Sequence, residues 1–277
     1  RHYRQQLVGP EFSTQINTNL QGWREEEDWR GQPIEVGIVG DSFTFGIGVE
    51  AGQRFGDLLR PYFPGRTIFS YAYAAGFTPA HYLLYLQTHQ ELIPRILIVQ
   101  VFVGNDLGPD LAETELIYRE GRLDAARLIQ RVIVPQGYQL SGNREHPAWP
   151  QAKFWLYDGL HRFQLGGLLL RTWGGVVGRW RSPHHLAGLS ELHQGSLSSA
   201  LSSLSFLLDL RRLVEEHGGR MLVLMVPEAW MVGDYPAQCP YPLALLLPQR
   251  LVAALGEWLR VQNLIYVDPT PFLSALE

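Results

Sequence analysis

Arg95-Ile96-Leu97-Ile98-Val99-Gln100-Val101-Phe102-Val103 is apolar at nearly every position. A run of this length without alternation suits a strand buried on both faces, as in a parallel sheet covered by helices. Parallel neighbours cannot be joined by tight hairpins, so the segments between such runs should be crossovers. The chain follows that rule. Ile34–Val39 reads as a first strand, Ala51–Pro61 as a helix with Phe55, Leu58 and Leu59 on one side, and Thr67–Tyr71 as a second strand. Thr78-Pro79 supplies an N-cap and a proline at the first helical position, with Tyr82, Leu83 and Leu86 along the following turns. After the third strand, Leu197, Leu201, Leu204 and Leu208 recur at helical spacing up to Gly218-Gly219. Met221–Val226 reads as a fourth strand, Gln249–Gln262 as a helix with Leu251, Leu255, Trp258 and Leu259 on one face, and Leu264–Val267 as a fifth strand. The alternation predicts a three-layer α/β/α sandwich around a mostly parallel five-stranded sheet.

Two stretches interrupt the rhythm. Residues 1–33 are polar, with few periodic apolar positions, and read as an irregular lead-in to a domain at 34–277. Residues 107–195 read as an insertion after the third strand, lying over one end of the sheet rather than forming a separate domain. Within it, Glu115–Arg122 and Leu128–Val134 are expected as a small hairpin, Ala152–Arg181 as an amphipathic helix and Ser182–Gln194 as a loop.

Composition removes several classes of function. A net charge of -4 gives no pull towards nucleic acid. Cys239 is the only cysteine, which excludes an internal disulfide and a cysteine metal cluster. No apolar run is long enough to span a bilayer. The chain starts at Arg1 rather than Met, read as upstream processing or trimming, which leaves a lost signal peptide or anchor open. A nucleotide-binding reading fails for want of a P-loop or a Gly-x-Gly-x-x-Gly after the first strand.

In open α/β sheets, ligands bind beyond the carboxyl ends of the strands. Three such ends carry polar or glycine signals: Gly40-Asp41-Ser42, Ala75-Gly76-Phe77 and Gly104-Asn105-Asp106. A serine on the tight turn after a buried strand has its hydroxyl lifted out of the sheet, and flanking glycines let substrate approach. Ser42 is therefore a candidate nucleophile for acyl transfer. The backbone N–H groups of Ser42 and Gly76 and the side-chain amide of Asn105 are candidate oxyanion donors, each typically worth ~3 kcal/mol in the transition state.

These three blocks resemble those of the SGNH, or GDSL-type, hydrolases. Gly40-Asp41-Ser42 with its Phe-Thr-Phe-Gly extension is similar to the family's first block, Gly76 to the glycine of the second, and Gly104-Asn105-Asp106 to the third. Asn19, Gly22, Trp23 and Arg24 resemble the lead-in of bacterial envelope members. The resemblance covers residues 34–277. It implies a flavodoxin-like fold and serine esterase or acylhydrolase activity on a small acyl ester or an acylated glycan. It also implies no metal or organic cofactor, and an extracytoplasmic, periplasmic or membrane-associated location. Ser42 would be the nucleophile and Ser42, Gly76 and Asn105 the oxyanion hole.

The sequence departs from the pattern in two places. Phe102-Val103 precede Gly104 where the family often has a further glycine. The family's Asp-x-x-His block after the last strand is not met either: Asp268-Pro269 follows that strand, and no histidine lies beyond His217. Asp158-Gly159-Leu160-His161 has the right spacing but precedes the fourth strand, in a helix-like neighbourhood. A serine without an adjacent base is a weak nucleophile. The alternative expectation is therefore a non-catalytic SGNH-like binding or assembly subunit. It would dock on a membrane surface or membrane complex through the Trp-, Arg- and Leu-rich residues 150–190.

Plainer roles stand beside these. Ser42 is also a good turn or helix-capping residue. Asp41 is expected to bond turn amides, and Asp106 a nearby amide or arginine. His146 and His184-His185 read as loop residues, and Glu228 as a solvated strand-end carboxylate. Trp173, Val176, Val177 and Trp180 read first as the apolar face of a helix packed on the sheet and only second as a membrane-facing stripe.

Overall fold

The continuous apolar runs do become the centre of a parallel sheet. The computed structural model describes residues 3–8, 12–72, 77–103, 106, 114–119, 122–128, 139–141, 195–227 and 242–273. In chain order the strands are β1 (Tyr3–Val8), β2 (Ser13–Thr18), β3 (Val36–Val39), β4 (Ile68–Ser70), β5 (Ile96–Phe102), β6 (Thr114–Arg119), β7 (Arg122–Leu128), β8 (Gln139–Ser141), β9 (Arg220–Val226) and β10 (Ile265–Val267). The helices are α1 (Ser42–Phe45), α2 (Phe55–Leu59), α3 (Pro79–Thr88), α4 (Gly195–Glu216), α5 (Pro242–Val261) and α6 (Thr270–Leu273).

Five strands form one sheet in the order β10-β9-β5-β3-β4, and every pairing within it is parallel. Counted along the chain, these strands run 2-1-3-4-5 across the sheet. The direction of winding therefore reverses between β3 and β5, the position at which open α/β sheets generally bind ligands. Alternate side chains enter two apolar clusters. Leu97, Val99, Val101, Met221, Val223 and Met225 join Leu83 and Leu86 of α3, Leu207 and Leu210 of α4, and Leu255 and Leu259 of α5. Val36, Ile38 and Ile98 meet Ile68, with Phe55 and Leu59 of α2 packed against them.

The chain divides into two compact units, Arg1–Leu140 with Ser199–Glu277, and Ser141–Ser198. The five-stranded sheet belongs to the first.

The lead-in is not irregular. β1 and β2 pair antiparallel from Tyr3↔Thr18 to Val8↔Ser13, and β8 joins them in a second sheet. Gln5 and Thr14 share the buried side with Leu7 and Ile16, so half of the inward positions are polar and hydropathy shows no period of two. Leu7 and Ile16 pack against Phe45 and Ala72.

The insertion hairpin is shifted from expectation. β7 spans Arg122–Leu128 rather than 128–134, paired with β6 in a register that bulges at Ile117/Tyr118. Arg119 pairs with Arg122, so two residues separate the strands where the sequence pattern suggested five. The helix expected over 51–61 shortens to α2 and continues as a 3-10 turn, Arg60–Tyr62, where Pro61 lacks a donor. α5 starts earlier than expected, at Pro242. The expected helix in 152–181 and loop in 182–194 lie outside the described residues.

Candidate active site

Ser42 opens α1 directly beyond β3, at the edge where the sheet's winding reverses, and is half-buried. The turn is held by residues from three parts of the chain. Asp41 caps α1: one carboxylate oxygen accepts the Phe43 N–H at 3.0 Å. Gln100, the one polar residue inside β5, turns its amide oxygen to the same turn. That oxygen accepts the Asp41 N–H at 3.2 Å and the Thr44 hydroxyl at 2.8 Å. Gly40 fits because it has no Cβ, which would lie 2.0 Å from Thr44 Oγ1 and 2.5 Å from Gln100 Oε1.

At the other end of α1, Gly46 adopts φ +81 and its N–H returns to the Ser42 carbonyl at 2.9 Å. The orphan carbonyls there are taken by Arg24. Its guanidinium, in a side chain only 2% exposed, donates to the carbonyls of Phe45 and Gly46 through Nη1 and to those of Gln15 and Val49 through Nη2. Burial, reinforced by neighbouring Arg54, pushes the Arg24 pKa down to about 10, so the group stays charged at neutral pH. Arg54 donates to the Arg24 carbonyl and pairs with Asp57 at 2.7 Å. Glu25 accepts from Arg60 at 2.5 Å and from the Ser70 N–H at 2.9 Å, tying the lead-in to β4. Its carboxyl pKa is raised by burial against the pull of Arg54 and Arg60.

Asp41 is 2% exposed. Burial raises its carboxyl pKa, with the Phe43 amide partly opposing. Its second oxygen and the Gln100 Nε2 are buried without hydrogen-bond partners. Across the turn, Phe43 stays half-exposed and packs on Phe102 with ring centroids 4.5 Å apart.

At the end of β5, Asp106 folds back on the strand. It accepts the Phe102 N–H at 2.7 Å and gives its own N–H to the Phe102 carbonyl at 3.1 Å. This matches the expected amide-bonding role. The two other candidate oxyanion residues, Gly76 and Asn105, lie outside the described residues, as do Asp158, His161, His146, His184, His185 and Glu228.

Each described histidine engages a partner other than Ser42 through Nδ1, while His81 Nε2 is buried without a hydrogen-bond partner. In α3, His81 Nδ1 accepts the Thr78 N–H at 3.1 Å, closing a capping box. Burial pushes its pKa down to about 4, so it is neutral at physiological pH. His89 Nδ1 stands 3.6 Å from Glu91, and His217 Nδ1 lies 2.8 Å from the Leu213 carbonyl. Asp268, after the last strand, accepts the Thr270 N–H at 3.0 Å and its hydroxyl at 2.5 Å. Among the described residues there is no group of three His, Cys, Asp or Glu side chains that would hold a metal, and no helix is long and apolar enough to cross a membrane.

Sequence reasoning missed Gln100 and the depth of Arg24. A lone glutamine in an otherwise apolar strand was a visible signal, because a buried amide needs a partner. A buried arginine among surface-type residues carried none. Comparison with protein-family models, with curated proteins and with solved structures gives no match. The site therefore rests on its own geometry.

Proposed function

We propose that this chain is a serine esterase or acylhydrolase of the SGNH type, built on a flavodoxin-like α/β/α sandwich of three layers. The reading is carried by one observation: Ser42 stands half-exposed at the strand-order reversal, on a turn braced by Asp41, Gln100 and Arg24. Bracing of this kind belongs with a group that must be presented in one geometry. In the proposed reaction Ser42 Oγ attacks an ester carbonyl and its proton passes to a base. The Ser42 and Gly76 N–H groups and the Asn105 amide hold the oxyanion. Collapse expels the alcohol, which takes the proton from that base, and water then releases the acid from the acyl-enzyme. The base is a histidine from outside the described residues. The substrate is a small acyl ester or an acylated glycan of the cell envelope, met in an extracytoplasmic or membrane-associated setting. No metal or organic cofactor is called for.

A second reading, a non-catalytic SGNH-like binding or assembly subunit, is favoured by the Nδ1 partners of His81, His89 and His217, none of which is Ser42. Residues 150–190 would then supply the docking surface for a membrane or membrane complex. Labelling with a fluorophosphonate probe separates the two. The esterase reading expects stoichiometric labelling of the wild type and none of Ser42→Ala. An unlabelled wild type that also leaves a panel of esters intact supports the subunit reading.

A further inference from the structure

A cavity of about 360 Å3 runs beside α3, away from the braced turn itself. Its wall begins at Val39, the last residue of β3 and three residues before Ser42, and at Phe77. It continues past His81, Leu84, Tyr85 and Thr88. The last four positions fall on one face of the helix and span roughly 10 Å of its axis at ~1.5 Å per residue. α3 connects two parallel strands, β4 and β5, and therefore runs back against them. Its Thr78 end lies at the edge where β3 delivers Ser42, and its Thr88 end at the opposite edge. The cavity is thus elongated, with one end beside the candidate site.

Among the described residues, no Asp, Glu, Lys or Arg lines it. His81 adds no charge to the wall at neutral pH. The remaining wall is aromatic and aliphatic except at its far end, where Thr88 and His89 line it. Such a surface rewards each methylene that leaves water and offers little to a polyol or a phosphate. An acetyl group would leave most of the volume empty.

We infer that this cavity is the subsite for an unbranched, medium-to-long alkyl chain, so that the ester cleaved at Ser42 carries a fatty acyl rather than an acetyl group. The inference rests on the esterase reading for its chemistry but not for its test, because binding does not require turnover.

The experiment is calorimetric titration of the full chain with sodium dodecanoate and, separately, with sodium acetate. Dodecanoate is expected to bind at one site, at least a hundredfold more tightly than acetate, and equally well to Ser42→Ala. Leu84→Trp fills the middle of the cavity at a half-buried position. Thr88→Trp blocks its far end at an exposed position, where folding is not at stake. Each is expected to weaken dodecanoate at least tenfold. Equal affinity for both acids, no saturable dodecanoate binding, or unchanged binding in both tryptophan variants overturns the inference. Fluorophosphonate labelling is scored independently: labelling without dodecanoate binding removes the subsite alone, and binding without labelling removes the esterase reading alone.

Discussion

The chain builds the same local device twice. At the end of β3, Asp41 accepts the N–H two residues on and caps the four-residue helix α1; at the end of β10, Asp268 likewise accepts the N–H two residues on, at the first residue of the four-residue helix α6. Their surroundings differ completely. β3 is buried at every position, whereas β10 is an edge strand with Ile265 and Val267 exposed. α1 buries Thr44 and Phe45, and α6 buries nothing. Gln100 and Arg24 reach α1 from distant parts of the chain. An Asp-capped turn is a local motif that forms wherever the sequence allows it. It becomes a fixed platform only when tertiary contacts take up its remaining donors and acceptors.

Substitutions can break this contrast, and the largest effect should come from Arg24. Arg24→Ala removes four hydrogen bonds to backbone carbonyls, each worth about 1 kcal/mol. We expect a loss of about 4 kcal/mol in urea unfolding, together with loss of fluorophosphonate labelling at concentrations where the variant is still folded. A fall below ~1 kcal/mol would show that the α1 turn holds without its clasp.

A third helix start, at α3, sharpens the comparison through pH. The His81 pKa falls from 6.5 unfolded to about 4 folded. The unfolded chain therefore takes up the proton first, and stability declines as pH drops from 6.5 towards 4. The decline attributable to this residue is about 3 kcal/mol. His81→Gln keeps an acceptor for the Thr78 N–H. It should flatten that part of the profile, read as the change in urea midpoint between pH 7 and pH 4.5 relative to wild type.

Gly40→Ala and Asp41→Ala follow at about 2 kcal/mol each, the first by collision with Thr44 and Gln100 and the second by loss of the cap. Both should also lower the labelling rate of Ser42. Asp268→Ala, the matching change at α6, is expected to cost under ~1 kcal/mol and leave labelling untouched. Equal losses at Asp41 and Asp268 in thermal melts would erase the distinction between the two turns.

Much of the sheet was legible because burial on both faces writes itself into composition. Ile96–Phe102 and Val36–Val39 could hardly be anything else, and Thr78-Pro79 marked the start of α3. The β1–β2 hairpin was not legible, since Gln5 and Thr14 occupy its inward positions and hide the alternation. The position of Ser42 was readable from the strand before it and the glycine on either side of its turn. Its bracing was not. Gln100 lies 59 residues from Asp41, and Arg24 lies 21 from Phe45.

By itself the sequence determined which segments form the five-stranded sheet, that they pair in parallel, and that a serine follows the first of them. These depend on local hydropathy and turn chemistry, which neighbouring residues carry. Only the tertiary structure decided that the sheet's winding reverses beside that serine, that an arginine and a glutamine hold its turn, and that α3 leaves an apolar cavity running from its flank. Those outcomes depend on which distant groups meet once water is excluded, because a buried donor or acceptor must then find its partner within the protein.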